Sequence, residues 1–312
     1  MNKVFALALL SAVACAEASP RVPEQAAGPA APAPSQAGTA TEVDGDRAFN
    51  DLKQIVAIGP RSAGSPGIRQ TRAYVTREMS AIGLTVQEQT FMATTPVGQV
   101  AMSNLIVTLP GKRADRILIT GHYDTKPDTG FVFVGANDGG SSTALLIELA
   151  RVLKNRPREF TYELVFFDGE EAWGDWNSGN TWGSRHYVDA AKKAGSLTTV
   201  KAMILLDMIG ERNVQLRQDT NSTRWLNDIF WRAAGRLGHT RTFVADMTAV
   251  EDDHIPFMNA GVPSIDLIDL DYPAWHTAED TLDKTDARSL KIVGDVVVAA
   301  LPDVEKRLAA GR

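Results

Sequence analysis

With 312 residues, 44% of them apolar and 22% charged, the chain has the make-up of a soluble globular protein and the length of one large domain or two ordinary ones. A net charge of −6 with both signs interspersed leaves no basic stripe, which argues against a nucleic-acid partner. Cys15 is the only cysteine, so an intramolecular disulfide is excluded.

The N-terminus has the grammar of an export signal. Lys3 supplies a positive start, Val4 to Val13 is a short apolar run, and small residues follow to Ala18. The run is too short for a spanning helix. Residues 1–18 are therefore expected to be a signal peptide, and the product to be exported, either periplasmic or extracellular. Two processing sites compete: Ala16-Glu17-Ala18 suits cleavage before Ser19, whereas Ala12-Val13-Ala14-Cys15 resembles a lipobox. A lipid on Cys15 is the only membrane attachment expected. Residues 19–42, rich in Ala, Pro, Gly, Ser and Gln, read as a disordered tether.

Residues 43–312 read as a single catalytic domain with no internal repeat. Phe49, Leu52 and Ile55 share a helix face that ends at Gly59-Pro60, and a second helix is expected over 68–82. Strand patterns follow at 84–91, 100–109 and 116–120, then a helix at 142–153. Leu164–Phe167 and Ala202–Leu206 are apolar runs of buried-strand length, separated by a helix at 183–194. A long amphipathic helix at 223–237, a strand at 264–268 and a C-terminal helix from Ala287 complete the pattern. Alternating strands and helices predict an α/β fold of three layers: a mostly parallel, mixed twisted sheet with helices on both faces.

In such folds ligands bind beyond the carboxyl ends of the strands. Polar residues collect there. His122 and Asp124 follow one strand, Glu170-Glu171 the next, and Asp207 a third. Two adjacent carboxylates after Phe166-Phe167 are costly to bury unless a cation offsets them. Asp138 alone, in Asn137-Asp138-Gly139-Gly140, also fits an ordinary turn, and Asp207 alone fits a satisfied buried acid. His186 and His239 lie on predicted helices and read as structural. His122, His254 and His276 lie in predicted loops beside acids or aromatic residues, where imidazole more often does chemistry. Carboxylates plus His276, with no thiolate available, make a donor set suited to a catalytic zinc.

Five segments occur in order: His122-Tyr123-Asp124, Gly135-Ala136-Asn137-Asp138, Asp168-Gly169-Glu170-Glu171, Gly183-Ser184-Arg185-His186 and Leu206-Asp207-Met208-Ile209-Gly210. With them, residues 45–305 resemble the family that holds the co-catalytic zinc aminopeptidases and the zinc-dependent glutaminyl cyclases. Asp252-Asp253-His254-Ile255-Pro256-Phe257, Trp176, Lys126 and Trp275-His276-Thr277 are similar to the cyclase branch. The resemblance implies a zinc aminopeptidase-like fold and one Zn²⁺ held by Asp138, Glu171 and His276. His122 and Asp207 also match the ligands of a second zinc in aminopeptidases. It further implies Glu170 as general acid/base, Asp207 and Asp252 as a supporting acidic network, and a substrate pocket of Trp176, Trp275, Tyr272, His122, Lys126 and Glu251. Glu251 and Tyr272 depart from the animal cyclases, which have glutamine and phenylalanine there. The activity so implied is cyclisation of an N-terminal glutamine in peptides or proteins, with loss of ammonia. Release of N-terminal amino acids and a catalytically silent binding protein are the alternatives.

Overall fold

The computed structural model describes Met1 and residues 42–311. The signal peptide, the tether and Cys15 expected from the sequence lie outside the described residues, apart from the two terminal positions Met1 and Glu42. Among the described residues no helix is long and apolar enough to cross a membrane.

Two helices open the fold, α1 (Gly45–Ile58) and α2 (Pro66–Ala81). Asp44 caps the first and Ser65 the second, each side chain accepting an exposed amide of the first turn. Gly59, at φ 87°, then stops α1. An antiparallel hairpin follows, β1 (Val86–Thr95) and β2 (Gly98–Leu109). The remaining strands of the sheet are β3 (Arg113–His122), β4 (Phe160–Phe167), β5 (Val200–Asp207) and β8 (Ser264–Ile268). Their order is β1-β2-β4-β3-β5-β8, and β3, β4, β5 and β8 run parallel.

Side chains alternate across this sheet with a period of two. Leu105, Val107, Ile117, Ile119, Leu164, Phe166, Ile204 and Leu206 join the core beneath α1, α2, α3 (Gly140–Leu153), α5 (Arg224–Arg236) and α7 (Ala287–Ala310). Ile106, Leu118, Val165, Phe167, Met203 and Leu205 face the other way, toward α4 (Trp182–Lys193) and α6 (His254–Asn259). Both faces are thus covered, which explains why the central strands read as unbroken apolar runs. Buried Arg151 of α3 pairs with Asp51 of α1 and Glu78 of α2, tying those helices together through charge as well as packing.

Three elements were not anticipated. A separate two-stranded parallel sheet pairs β6 (Leu216–Asp219) with β7 (Phe243–Thr248). His254, expected in a loop, opens the short helix α6 (His254–Asn259).

An acid pair away from the strand ends of β3 and β4 adds to the pH dependence of stability. Glu211 follows β5 and faces Asp269 at the end of β8. Burial, then the charge of Asp269 and a hydrogen bond to it, push Glu211 up to about 7, from an ordinary 4.5. A folded pKa raised in this way gives stability that is complete below the ordinary value and lost as pH rises through the folded one. Thermal midpoints should therefore fall between pH 4.5 and 7. Glu211→Gln should flatten that part of the profile; an unchanged slope would assign the pH dependence elsewhere.

Candidate active site

The carboxyl ends of β3, β4 and β5 deliver His122, the Asp168–Glu171 turn and Asp207 to one place. Asp138 arrives from the loop between β3 and α3. That loop is pinned by Arg61, which is fully buried. Its guanidinium donates to the carbonyls of Tyr123, Val134, Gly135 and Asp138. Burial lowers Arg61 to about 10, yet it stays charged at neutral pH. Asp280 holds the same loop from the other side, accepting the amides of Asn137 and Asp138 at 2.8 and 3.1 Å. Gly139, at φ 69°, is required here: a Cβ would lie 2.4 Å from the Asp124 carbonyl and 2.9 Å from the His122 ring.

Asp124 fixes the paired glutamates by accepting the amides of Glu170 and Glu171 at 3.1 and 3.3 Å. His276 enters from the loop after β8 with φ 52°, a conformation that costs a residue other than glycine free energy. Its ring is held between the edge contact with Phe133, 6.1 Å away, and the tilted face of Trp275, 4.3 Å away.

Asp138, Glu171 and His276 each offer one donor atom, and these lie within 4.8 Å of one another. The His276 Nε2 is 3.4 Å from Asp138 and 3.3 Å from Glu171. Asp138 Oδ2 and Glu171 Oε1 are buried without a hydrogen bond. Buried carboxylate oxygens left without a hydrogen bond beside an imidazole nitrogen are what a divalent cation would satisfy, so the residues present fit a metal. Proton affinities point the same way. Burial, followed by the nearby Asp138, lifts Glu171 to about 7. Burial would depress His276, but Asp138 and Glu171 outweigh it and raise the imidazole to about 9. A cation bound there would displace those protons.

His122 bridges a second group, with Nε2 3.1 Å from both Asp138 and Asp207. These three residues also meet the spacing of a metal cluster and share Asp138 with the first. Glu170 stands beside them, its carboxylate 3.8 Å from His122 Nδ1. Burial, together with Glu171, Asp252 and Asp253, pushes Glu170 well above the usual carboxylate range, against the opposing pull of His122.

A cavity of about 390 Å³ opens over Asp138, Glu170, Glu171 and His276. Lys126, Trp176, Asp207, Glu251, Asp252 and Trp275 also line it. Lys126 is held by the Ala172 carbonyl at 3.0 Å and stands 3.8 Å from Glu171. Two residues expected in the wall are elsewhere. Tyr272 is buried behind it because its hydroxyl donates to Asp280 at 2.8 Å. His122 is buried against Asp138 and Asp207 and is not among the residues lining the cavity. His254, grouped above with the chemical histidines, is fully buried on α6, 3.2 Å from Asp219 and 3.7 Å from Asp266.

Residues 104–301 match the profile of peptidase family M28. The chain belongs to that family. It is 34% identical over 278 residues to the glutaminyl-peptide cyclotransferase of Bothrops jararaca, covering 76% of this chain and 75% of that one. The crystal structure of Acidobacteriales bacterium glutaminyl cyclase superposes with a TM-score of 0.82 at 40% identity, over 89% of this chain and all of that one. For Fimbriiglobus ruber glutaminyl cyclase the TM-score is 0.78 at 31% identity, over 87% and 99%.

Sequence reasoning missed Arg61 and Asp280, the two residues that shape the Asp138 loop. Arg61→Met would strand buried carbonyls, each worth about 1–3 kcal/mol when left unpaired. The expected loss is ~3–5 kcal/mol, read as a lowered midpoint of chemical unfolding together with weaker metal binding. A variant as stable as the parent would remove Arg61 from this role.

Proposed function

We infer that the protein is a zinc-dependent glutaminyl-peptide cyclotransferase, converting the N-terminal glutamine of peptides to pyroglutamate with release of ammonia. One observation carries the reading. Trp176, Trp275, Glu251 and Asp252 close a small cavity directly over Glu170 and the Asp138, Glu171 and His276 cluster, in a chain similar to glutaminyl cyclases along most of its length.

The cavity suits one glutamine side chain. The indoles of Trp176 and Trp275 bury its methylenes and exclude water. A zinc ion held by Asp138, Glu171 and His276 would act as a Lewis acid on the γ-carbonyl. The substrate's own α-amine attacks that carbon, so the new N–Cδ bond closes the five-membered ring. Glu170 accepts the proton that the amine loses and donates it to the departing nitrogen, which leaves as ammonia when the old C–N bond breaks. Asp252, pushed up to about 7 by burial and then by Asp207, lines the same cavity and orients the amine or the departing ammonia by hydrogen bonding. No water is consumed, which separates this chemistry from removal of an N-terminal residue.

Incubation with a Gln-initiated and a Leu-initiated peptide, followed by mass spectrometry, tests the assignment. Ammonia should be lost from the first, and the second should stay intact. Free leucine without pyroglutamyl product would make the protein an aminopeptidase. Export rests on residues 1–18 alone; a native product beginning at a lipid-modified Cys15 or at Ser19 would support it, and an intact Met1 would refute it.

A further inference from the structure

Beyond the cavity that takes the first residue, the surface carries an apolar strip. The loop from Lys126 to Val134 begins at the cavity wall, where Lys126 lines the pocket, and ends against the Asp138, Glu171 and His276 cluster, where Phe133 meets His276. Asp128 and Gly130, at φ 55° and 74°, turn its tip outward. Phe131 and Val132 occupy that tip and are 41% and 68% exposed, although Phe133 beside them is buried. Trp275, 42% exposed, continues the strip on the far side of His276. The exposed rings are linked through the interior: Trp275 packs on His276, His276 meets the buried Phe133, and Phe133 meets Phe131 at 6.4 Å.

Exposed aromatic and branched side chains cost solvation free energy unless something covers them. The occupant here is set by continuity with the cavity. Once a glutamine side chain is in the cavity, the rest of the peptide must leave across its mouth. An extended chain advances roughly 3.3–3.6 Å per residue. Phe131 is two ring contacts from His276, 6.1 and then 6.4 Å, which puts its ring no farther from His276 than the span of the third or fourth residue of an extended peptide.

We propose that Phe131 and Val132, with Trp275, form a specificity strip that selects glutaminyl peptides carrying a bulky apolar side chain at the third or fourth position. The proposal rests on the cyclase reading and adds the class of peptide it acts on.

The test compares Gln-Ala-Ala-Ala, Gln-Ala-Phe-Ala and Gln-Ala-Lys-Ala, with glutamine amide as a substrate too short to reach the strip. The wild type should cyclise the phenylalanine peptide with kcat/KM roughly tenfold above the alanine peptide, mainly through KM, because burying a phenyl ring is favourable and acts before the chemical step. Phe131→Ser with Val132→Ser should erase that preference and leave glutamine amide unchanged. Both side chains are exposed, so folding should survive. Equal rates for the alanine and phenylalanine peptides would overturn the strip while leaving the cyclase reading intact. A lysine preference would transfer selection to Asp175 and Glu251, two acids that line the cavity, and also overturn it. So would a dimer dissolved by the double substitution with peptide kinetics unaltered, since the strip would then serve a second copy. Inert glutamine amide and peptides alike would instead defeat the cyclase reading itself.

Discussion

His276→Ala should release the metal and cut turnover on the order of 10³ or more while leaving the fold standing. Lewis-acid stabilisation of a carbonyl transition state is worth several kcal/mol, and each 1.36 kcal/mol is tenfold in rate. The imidazole is one of three proposed donors, so its loss leaves Asp138 and Glu171 as two buried carboxylates facing each other. Their repulsion would be relieved by protonation, as the elevated Glu171 already indicates. Stability should change little, because the His276 side chain is 25% exposed and lies at the edge of the core, where solvent can fill the space the ring leaves. Metal analysis and circular dichroism on the purified variant check both halves. Full zinc occupancy with undiminished cyclisation would remove His276 from the ligand set, and His122 with Asp138 and Asp207 would be the next group to test.

How much of this was legible in the sequence depends on where the determining contacts lie. The ends of the parallel strands were legible because apolar runs stop at charged residues, as at Phe166-Phe167-Asp168 and Leu205-Leu206-Asp207. Each strand's faces could not be assigned from such runs, since both sides are buried. The β6 and β7 pair was invisible for the opposite reason: Leu216–Asp219 is only four residues, and Phe243–Thr248 shows no clean alternation. Its pairing partner is also remote in sequence. His254 was misjudged because a scarce imidazole beside acids looks chemical, whereas Asp219 and Asp266 enclose it within the core. Tyr272 was drawn away from the pocket by its own hydroxyl, which needs a partner when buried. Arg61 left no signature at all. Four backbone carbonyls bind it, and carbonyls are common to every residue type, so nothing in its neighbours' identity announces the contact.

Adjacent glutamates with different duties are the sharpest claim about the site, and Glu170→Gln isolates one of them. Glutamine keeps the size of the side chain and removes its ability to take and return a proton. Glu171, whose amide is held by Asp124 at 3.3 Å, should stay in place, so the metal should remain bound. General acid/base assistance contributes about 10²–10⁴ in rate, and a loss of that size is expected in kcat with KM little altered. The position of Glu170 makes it suited to the transfer. It lines the cavity, lies 3.8 Å from His122, and is held in a buried set of acids that favours its protonated form. To act as base Glu170 must first be ionised, which a cation at the Asp138, Glu171 and His276 cluster would favour by offsetting the neighbouring negative charge. It can then take the amine's proton and return it to the departing nitrogen within the same cavity. Asp252→Asn provides the contrast. It retains a hydrogen-bonding oxygen and should lose less than Glu170→Gln if Asp252 orients the substrate and does not carry the proton. If Glu170→Gln retained near-full kcat with zinc in place, the shuttle would have to be reassigned, and Asp252, raised to about 7 and facing the same cavity, would be the acid to examine next.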